Sequence, residues 1–320
     1  MRIRERIIRF GEEVPMVGVV SEPPERRPDA PAVIVLNAGF VHRVGPFRMN
    51  VAIARALAEA GYPAVRIDLT GLGDSPARSG SGELETRVRI DIDEAIKATL
   101  QATSTNEVVL YGMCSGAMNA HFAGIDDDRV SGLVLIDPYS WPTRKFRLIR
   151  YFAALREPHR VGGFATRSLG RFLRRSKRAF LPGSAVDETL QNAQGSVCDD
   201  PLVGTIYLAE WPAAERIAAD LQRLIGRGAR ALMIFTGGMV EYFNYAGQLQ
   251  DSLPGIRLES GVIVEHWPAS DHMLTVHSDR QKLITKIVQF LPTLSREATG
   301  KRTQRSPPAE RPIAGNQELS

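Results

Sequence analysis

The chain has 320 residues, 43% of them hydrophobic, and 40 Lys and Arg against 36 Asp and Glu leave a formal charge of +4. Enough apolar side chains are present to fill a sizeable core, as one large α/β domain or as one domain carrying an insertion, which excludes a disordered or fibrous chain. The start, Met1-Arg2-Ile3-Arg4-Glu5-Arg6, alternates charged and apolar residues where a secretory signal is continuously apolar, and no stretch reaches the roughly 18–20 apolar residues of a membrane span. A cytoplasmic protein with free thiols at Cys114 and Cys198 is therefore expected.

Strand-like runs at 3–10 and 17–21 open the chain. A third, at 32–37, leads into Asn37-Ala38-Gly39-Phe40, with His42, Arg43 and Arg48 shortly after it. The spacing of Val51, Ala54, Leu57 and Ala58 predicts a helix over 47–60, ended by Gly61. A fourth strand at 64–67 runs into Asp68-Leu69-Thr70-Gly71-Leu72-Gly73-Asp74-Ser75, where Gly71-x-Gly73 reads as a turn and not a nucleotide loop. A second helix over 83–102 precedes a buried strand at 108–111.

That strand breaks into Gly112-Met113-Cys114-Ser115-Gly116 and then a helix over 115–123. Glycines two residues either side of Cys114 suit a nucleophile in a strained strand-to-helix turn, because such a turn brings neighbouring backbones too close for a Cβ. Ser115 has Met113, not glycine, two residues before it, so Cys114 is the expected nucleophile. Read alone, the segment also describes a small turn around a buried, inert cysteine.

The sixth strand, 130–136, ends at Asp137. The stretch 141–226 then has no strand of its own, and between Arg144 and Arg178 Glu157 is the only acid among twelve basic residues. Arg167, Arg171, Arg174, Arg175 and Arg178 recur at helical spacing opposite Leu169, Phe172, Leu173 and Phe180. This is the pattern of a basic amphipathic helix for an anionic membrane surface or an anionic substrate, or of a solvated arginine face. No nucleic-acid module accompanies the charge. The seventh strand, 231–235, continues as Thr236-Gly237-Gly238-Met239-Val240-Glu241, and the eighth, 262–267, leads to Ala269-Ser270-Asp271-His272-Met273. A helix over 278–290 stops at Leu291-Pro292, and 293–320 are expected to form a disordered tail.

Strands alternating with helices point to a mostly parallel sheet covered on both faces. The motifs at 37–48, 68–75, 112–117 and 269–272 resemble the α/β-hydrolases associated with bacterial exosortase and exopolysaccharide systems, over about 30–140 and 228–292. The cysteine elbow and Arg43-Val44-Gly45 are the most specific part of the likeness. The resemblance implies an α/β-hydrolase fold of eight strands, with a core of 1–140 and 227–292 and a helical cap, 141–226, inserted after the sixth strand. At the strand ends of that fold Cys114 is the expected nucleophile, His272 the expected base, and Glu241, three residues past Gly238, the expected orienting acid with Asp137 as the alternative, although a glutamate there departs from the family's usual pattern. The resemblance also implies the Phe40 and Ser115 backbone N–H groups as oxyanion donors, with His42, Arg43 and Arg48 as candidates to bind substrate. Packing and helix-start roles are open for both arginines.

A thiolate at Cys114 would attack an acyl carbonyl and pass through an acyl-thioester that water resolves. Because a thiolate leaves more readily than an alkoxide, small or lipid-linked esters, thioesters and lactones are expected substrates ahead of amides. No cofactor or metal is expected, and a location peripheral to the inner face of the membrane would suit the basic cap. An acyltransferase with the same residues, and a non-catalytic hydrolase-like binding protein, are the alternatives.

Overall fold

Apolar runs bounded by turn residues form eight strands: β1 (Arg4–Phe10), β2 (Met16–Glu22), β3 (Ala32–Val35), β4 (Ala64–Asp68), β5 (Val108–Met113), β6 (Val130–Ile136), β7 (Arg230–Thr236) and β8 (Val262–Trp267). The structure is a computed structural model and describes residues 2–79, 84–156, 211–253 and 255–294. The sheet order is β1-β2-β4-β3-β5-β6-β7-β8. β2 pairs antiparallel with both β1 and β4, and every later pairing is parallel. β3 to β6 are buried at every position, as parallel strands covered on both faces must be, whereas the edge strand β1 alternates exposed and half-buried residues.

The two-residue period of the strands divides their side chains between two cores. On one face α1 (Met49–Glu59) and α7 (His277–Phe290) pack Ile53, Leu57, Leu283 and Ile287 against Val33, Val109 and Val134. On the other, α2 (Leu84–Thr103), α3 (Ser115–Gly124) and α5 (Ala214–Gly226) pack Ile92, Ala117 and Leu221 against Ile34, Leu110 and Leu133. Two further helices, α4 (Arg144–Arg156) and α6 (Gln248–Ser252), lie in the segments after β6 and β7. The buried His121 pins α3 to its surroundings: Nε2–H donates to Asp220 on α5 at 3.0 Å and Nδ1 accepts from the Tyr139 hydroxyl at 3.1 Å. Desolvation keeps its pKa below the ordinary histidine value, so the ring is neutral.

Three expectations are corrected. The helix expected from 47 begins at Met49, because Phe47 and Arg48 take left-handed φ angles of 51° and 59° that interrupt it. The expected cap reached 226, but α5 buries Ile217, Leu221 and Leu224 in the core and belongs to the sheet's covering layer. Thr293 and Leu294, expected in the tail, end a short turn at Leu291–Leu294, in which Thr293 O accepts from Arg230 at 3.2 Å. The Arg167–Arg178 pattern, Cys198 and 295–320 lie outside the described residues. Among the described residues, no helix is long and apolar enough to cross a membrane.

Candidate active site

The site is assembled where β3, β5, β6, β7 and β8 end, the side of a parallel sheet where loops converge. β5 runs out at Met113, and Cys114 follows with φ 54° and ψ −123°, a conformation that costs a non-glycine residue about 1–3 kcal/mol. The two glycines of the elbow are required by contact. A Cβ on Gly112 would lie 2.0 Å from Gly116 O, and one on Gly116 would lie 2.2 Å from Asn37 O. Cys114 is half-buried at the N-terminus of α3, where the helix dipole favours a negative charge.

Asp137, directly after β6, is buried and has a left-handed φ of 49°. Its Oδ1 accepts Thr236 N–H at 2.7 Å, and its Oδ2 accepts the Thr236 hydroxyl at 2.7 Å. Oδ2 also accepts Nδ1–H of His272 at 2.7 Å. A carboxylate can only accept, so the proton sits on Nδ1 and leaves Nε2 for the thiol. The hydrogen bonds to Asp137 and then to Cys114 push the His272 pKa up to about 10, against the effect of burial. The hydrogen bond to His272 holds the Cys114 thiol below its ordinary value, and the Ser115 backbone N–H adds to the effect. Opposite shifts across one hydrogen bond favour a thiolate–imidazolium pair.

Glu241 does not meet this histidine. It is exposed in the loop after β7, and its carbonyl accepts from Arg150 at 3.4 Å. The expectation that Glu241 orients His272 is therefore corrected in favour of Asp137, because the β6 end lies beside β7 and points its first residue under the ring. Thr236, which sequence reasoning missed, fixes both oxygens of Asp137. Its only signal was a polar residue closing an otherwise apolar strand. Asp271 accepts from Met273 N–H at 2.9 Å and from Thr275 N–H at 3.0 Å, and so organises the loop that carries His272.

After β3, Ala38–Val41 forms a tight turn closed by Val41 N–H to Ala38 O at 3.0 Å, with Gly39 and Phe40 at its tip. Asn37 anchors this turn: Nδ2 donates to Val41 O at 2.9 Å and to Asp68 Oδ1 at 3.1 Å, and Oδ1 accepts Leu69 N–H at 2.9 Å. The turn touches the elbow at Gly39 N–H, which donates to Ser115 Oγ at 2.8 Å.

Arg43, expected as a substrate contact, is committed within the protein. Its guanidinium bonds to the fully buried Asp68 and to Asp74, at 2.6 Å for the latter, and its backbone N–H donates to Asp68 at 2.6 Å. It clamps the 37–43 loop to the 68–75 loop. His42 and Arg48 are exposed. Among the described residues, no group of three or more His, Cys, Asp or Glu could hold a metal ion.

Residues 31–217 match the model of the alpha/beta hydrolase fold family. An esterase of Pyrococcus furiosus superposes with a TM-score of 0.55 at 12% identity, over 91% of this chain and 91% of its own. Proline iminopeptidase of Mycobacterium smegmatis gives 0.53 at 17% identity, over 91% and 98%. A hypothetical protein of Pseudomonas aeruginosa gives 0.56 at 14%, over 92% and 94%. At these identities the likeness is one of fold. No curated protein sequence is similar enough to count as a match.

Proposed function

The chain belongs to the alpha/beta hydrolase fold family, and on that premise we propose that it is an esterase or thioesterase that works through an acyl-Cys114 intermediate. The observation that carries this reading is the 2.7 Å hydrogen bond from His272 to the buried Asp137, with Cys114 at the apex of a strained elbow. In the first half-reaction the Cys114 thiolate forms a bond to the acyl carbon, and the carbonyl electron pair moves onto oxygen. The Ser115 and Phe40 backbone N–H groups receive that oxyanion. As the tetrahedral species collapses, the bond to the leaving oxygen or sulfur breaks and His272 returns a proton to it. Water then gives its proton to His272 and attacks the thioester. Cys114 departs as thiolate, and a carboxylic acid is released.

The bond proposed is an ester or thioester, whose carbonyl is less stabilised by resonance than that of an amide and whose leaving group departs once His272 has protonated it. Beside the site residues in the chain, Phe40 in the oxyanion turn and Met273 next to His272 are apolar and exposed. This rim suits an apolar acyl group. The likeness to exosortase-associated hydrolases, carried by the cysteine elbow and Arg43-Val44-Gly45, belongs to the same reading, as does peripheral contact with an anionic membrane.

The test is turnover of short-chain p-nitrophenyl esters and acyl-thioesters, with intact-mass detection of the acyl-enzyme. Wild type should carry one acyl group on Cys114, and Cys114→Ala should lose both the adduct and the turnover. Turnover that survives Cys114→Ala, or wild type with neither adduct nor turnover, overturns the proposal. Release of the adduct by added alcohols faster than by water would make the second half-reaction an acyl transfer.

A further inference from the structure

The two backbone groups proposed as oxyanion donors belong to segments far apart in sequence. One is on the elbow helix and the other on the turn after β3. Stabilising a developing oxyanion requires both N–H groups at about 2.7–3.1 Å from one oxygen atom, so a small displacement of either segment removes a donor. Something must therefore fix the turn against the elbow. The base of the turn is anchored through Asn37, and the backbones meet where Gly116 faces Asn37 O. Neither contact reaches the tip. Phe40, beside Gly39 at the tip, is 45% exposed.

We infer that the Ser115 hydroxyl is the latch that holds the oxyanion turn on the elbow, a positioning role for this side chain distinct from that of its backbone N–H. Ser115 is the first residue of α3, and its Oγ reaches across to accept Gly39 N–H at 2.8 Å, one residue before Phe40. One residue thus supplies the first donor through its main chain and sets the position of the second through its side chain. The arrangement also gives the serine beside the nucleophile a task other than attack, since His272 shares its hydrogen bond with Cys114. Replacing the hydroxyl by hydrogen, as in Ser115→Ala, leaves Gly39 N–H without this acceptor and removes the side-chain hydrogen bond that joins the turn to the elbow. Thiolate formation, which depends on His272 and Asp137, is untouched.

The inference rests on Cys114 as the acyl-accepting nucleophile, and two reactions of the same sulfur separate the latch from that premise. Alkylation by iodoacetamide forms a C–S bond as iodide leaves with its electron pair, and it develops no oxyanion. Acylation by p-nitrophenyl acetate does develop one. Ser115→Ala should slow the acylation burst by roughly 10- to 100-fold, with KM little changed, while the alkylation rate and its pH profile stay within about twofold of wild type. Ser115→Thr, which keeps the hydroxyl, should restore most of the ratio of acylation to alkylation. A ratio unchanged in Ser115→Ala overturns the latch, as does a parallel fall in both reactions or a threonine variant as impaired in the ratio as the alanine. Failure of the premise would instead appear in wild type, as acylation that does not map to Cys114.

Discussion

Asp137→Asn separates the two carboxylates that the sequence offered for one role. The amide has the same shape, and its oxygen can still accept Thr236 N–H while the Thr236 hydroxyl, able to donate or accept, turns to its NH2 group, so the fold should survive. What changes is the face toward His272. An NH2 group there cannot accept Nδ1–H and favours the tautomer protonated on Nε2, which is wrong for taking a proton from the thiol. The His272 pKa of about 10, against an ordinary 6.5, corresponds to about 5 kcal/mol of preference for the imidazolium, shared between Asp137 and Cys114. Assigning half to Asp137 and discounting for a ring 31% exposed leaves ~2 kcal/mol, or ~1.5 pH units. The alkaline limb of the acylation profile, where His272 loses its proton, should move down by that amount in Asp137→Asn, and acylation should fall by ~30-fold or more near neutral pH. Glu241→Gln should leave both within about twofold of wild type. An unmoved alkaline limb in Asp137→Asn, or an equal loss in Glu241→Gln, refutes the reasoning.

Two further outcomes are expected. Because the hydrogen bond to His272 keeps the Cys114 thiol below its ordinary pKa, wild-type alkylation should persist well below the free-thiol midpoint of about 8.5, and acylation should decline above about 10 as His272 loses the proton it gives the leaving group; a plain free-thiol profile would exclude the ion pair. Arg43→Ala should lower stability by about 2–3 kcal/mol, read as a fall in the urea midpoint, because it strips a partner from the fully buried Asp68. KM for an uncharged ester should stay the same, and a KM effect without a stability loss would restore Arg43 as a substrate contact.

The parts of the site that read clearly in the sequence are those a local steric rule enforces. Gly112 and Gly116 are required because each backbone lies against another, and that crowding needs small residues at fixed offsets from Cys114. His272 was found by its position after the last strand, and the strands themselves by apolar runs whose burial on both faces leaves no room for polar alternation. Thr236 and the Ser115 hydroxyl were not found, because a single polar side chain at a strand or helix end has no pattern. Arg43 stayed open between packing and substrate because an arginine near a site looks the same whether it faces substrate or a buried aspartate.

The acid shows where the division falls. Order along the chain placed carboxylates after both the sixth and seventh strands, and either satisfied the sequence Cys, acid, His. The choice depends on where each side chain ends after its strand has been twisted into the sheet, and only the folded β6 end brings a carboxylate to 2.7 Å from Nδ1 of His272. The linear chain determined the scaffold, the elbow and the place of His272, because the first two are written as local periodicity and local crowding and the third follows the last strand. Tertiary structure decided which carboxylate meets His272, that Arg43 pairs with Asp68 and Asp74, and that the Ser115 hydroxyl meets Gly39 N–H. Those contacts join residues 25 to 135 positions apart, a separation at which no local pattern survives.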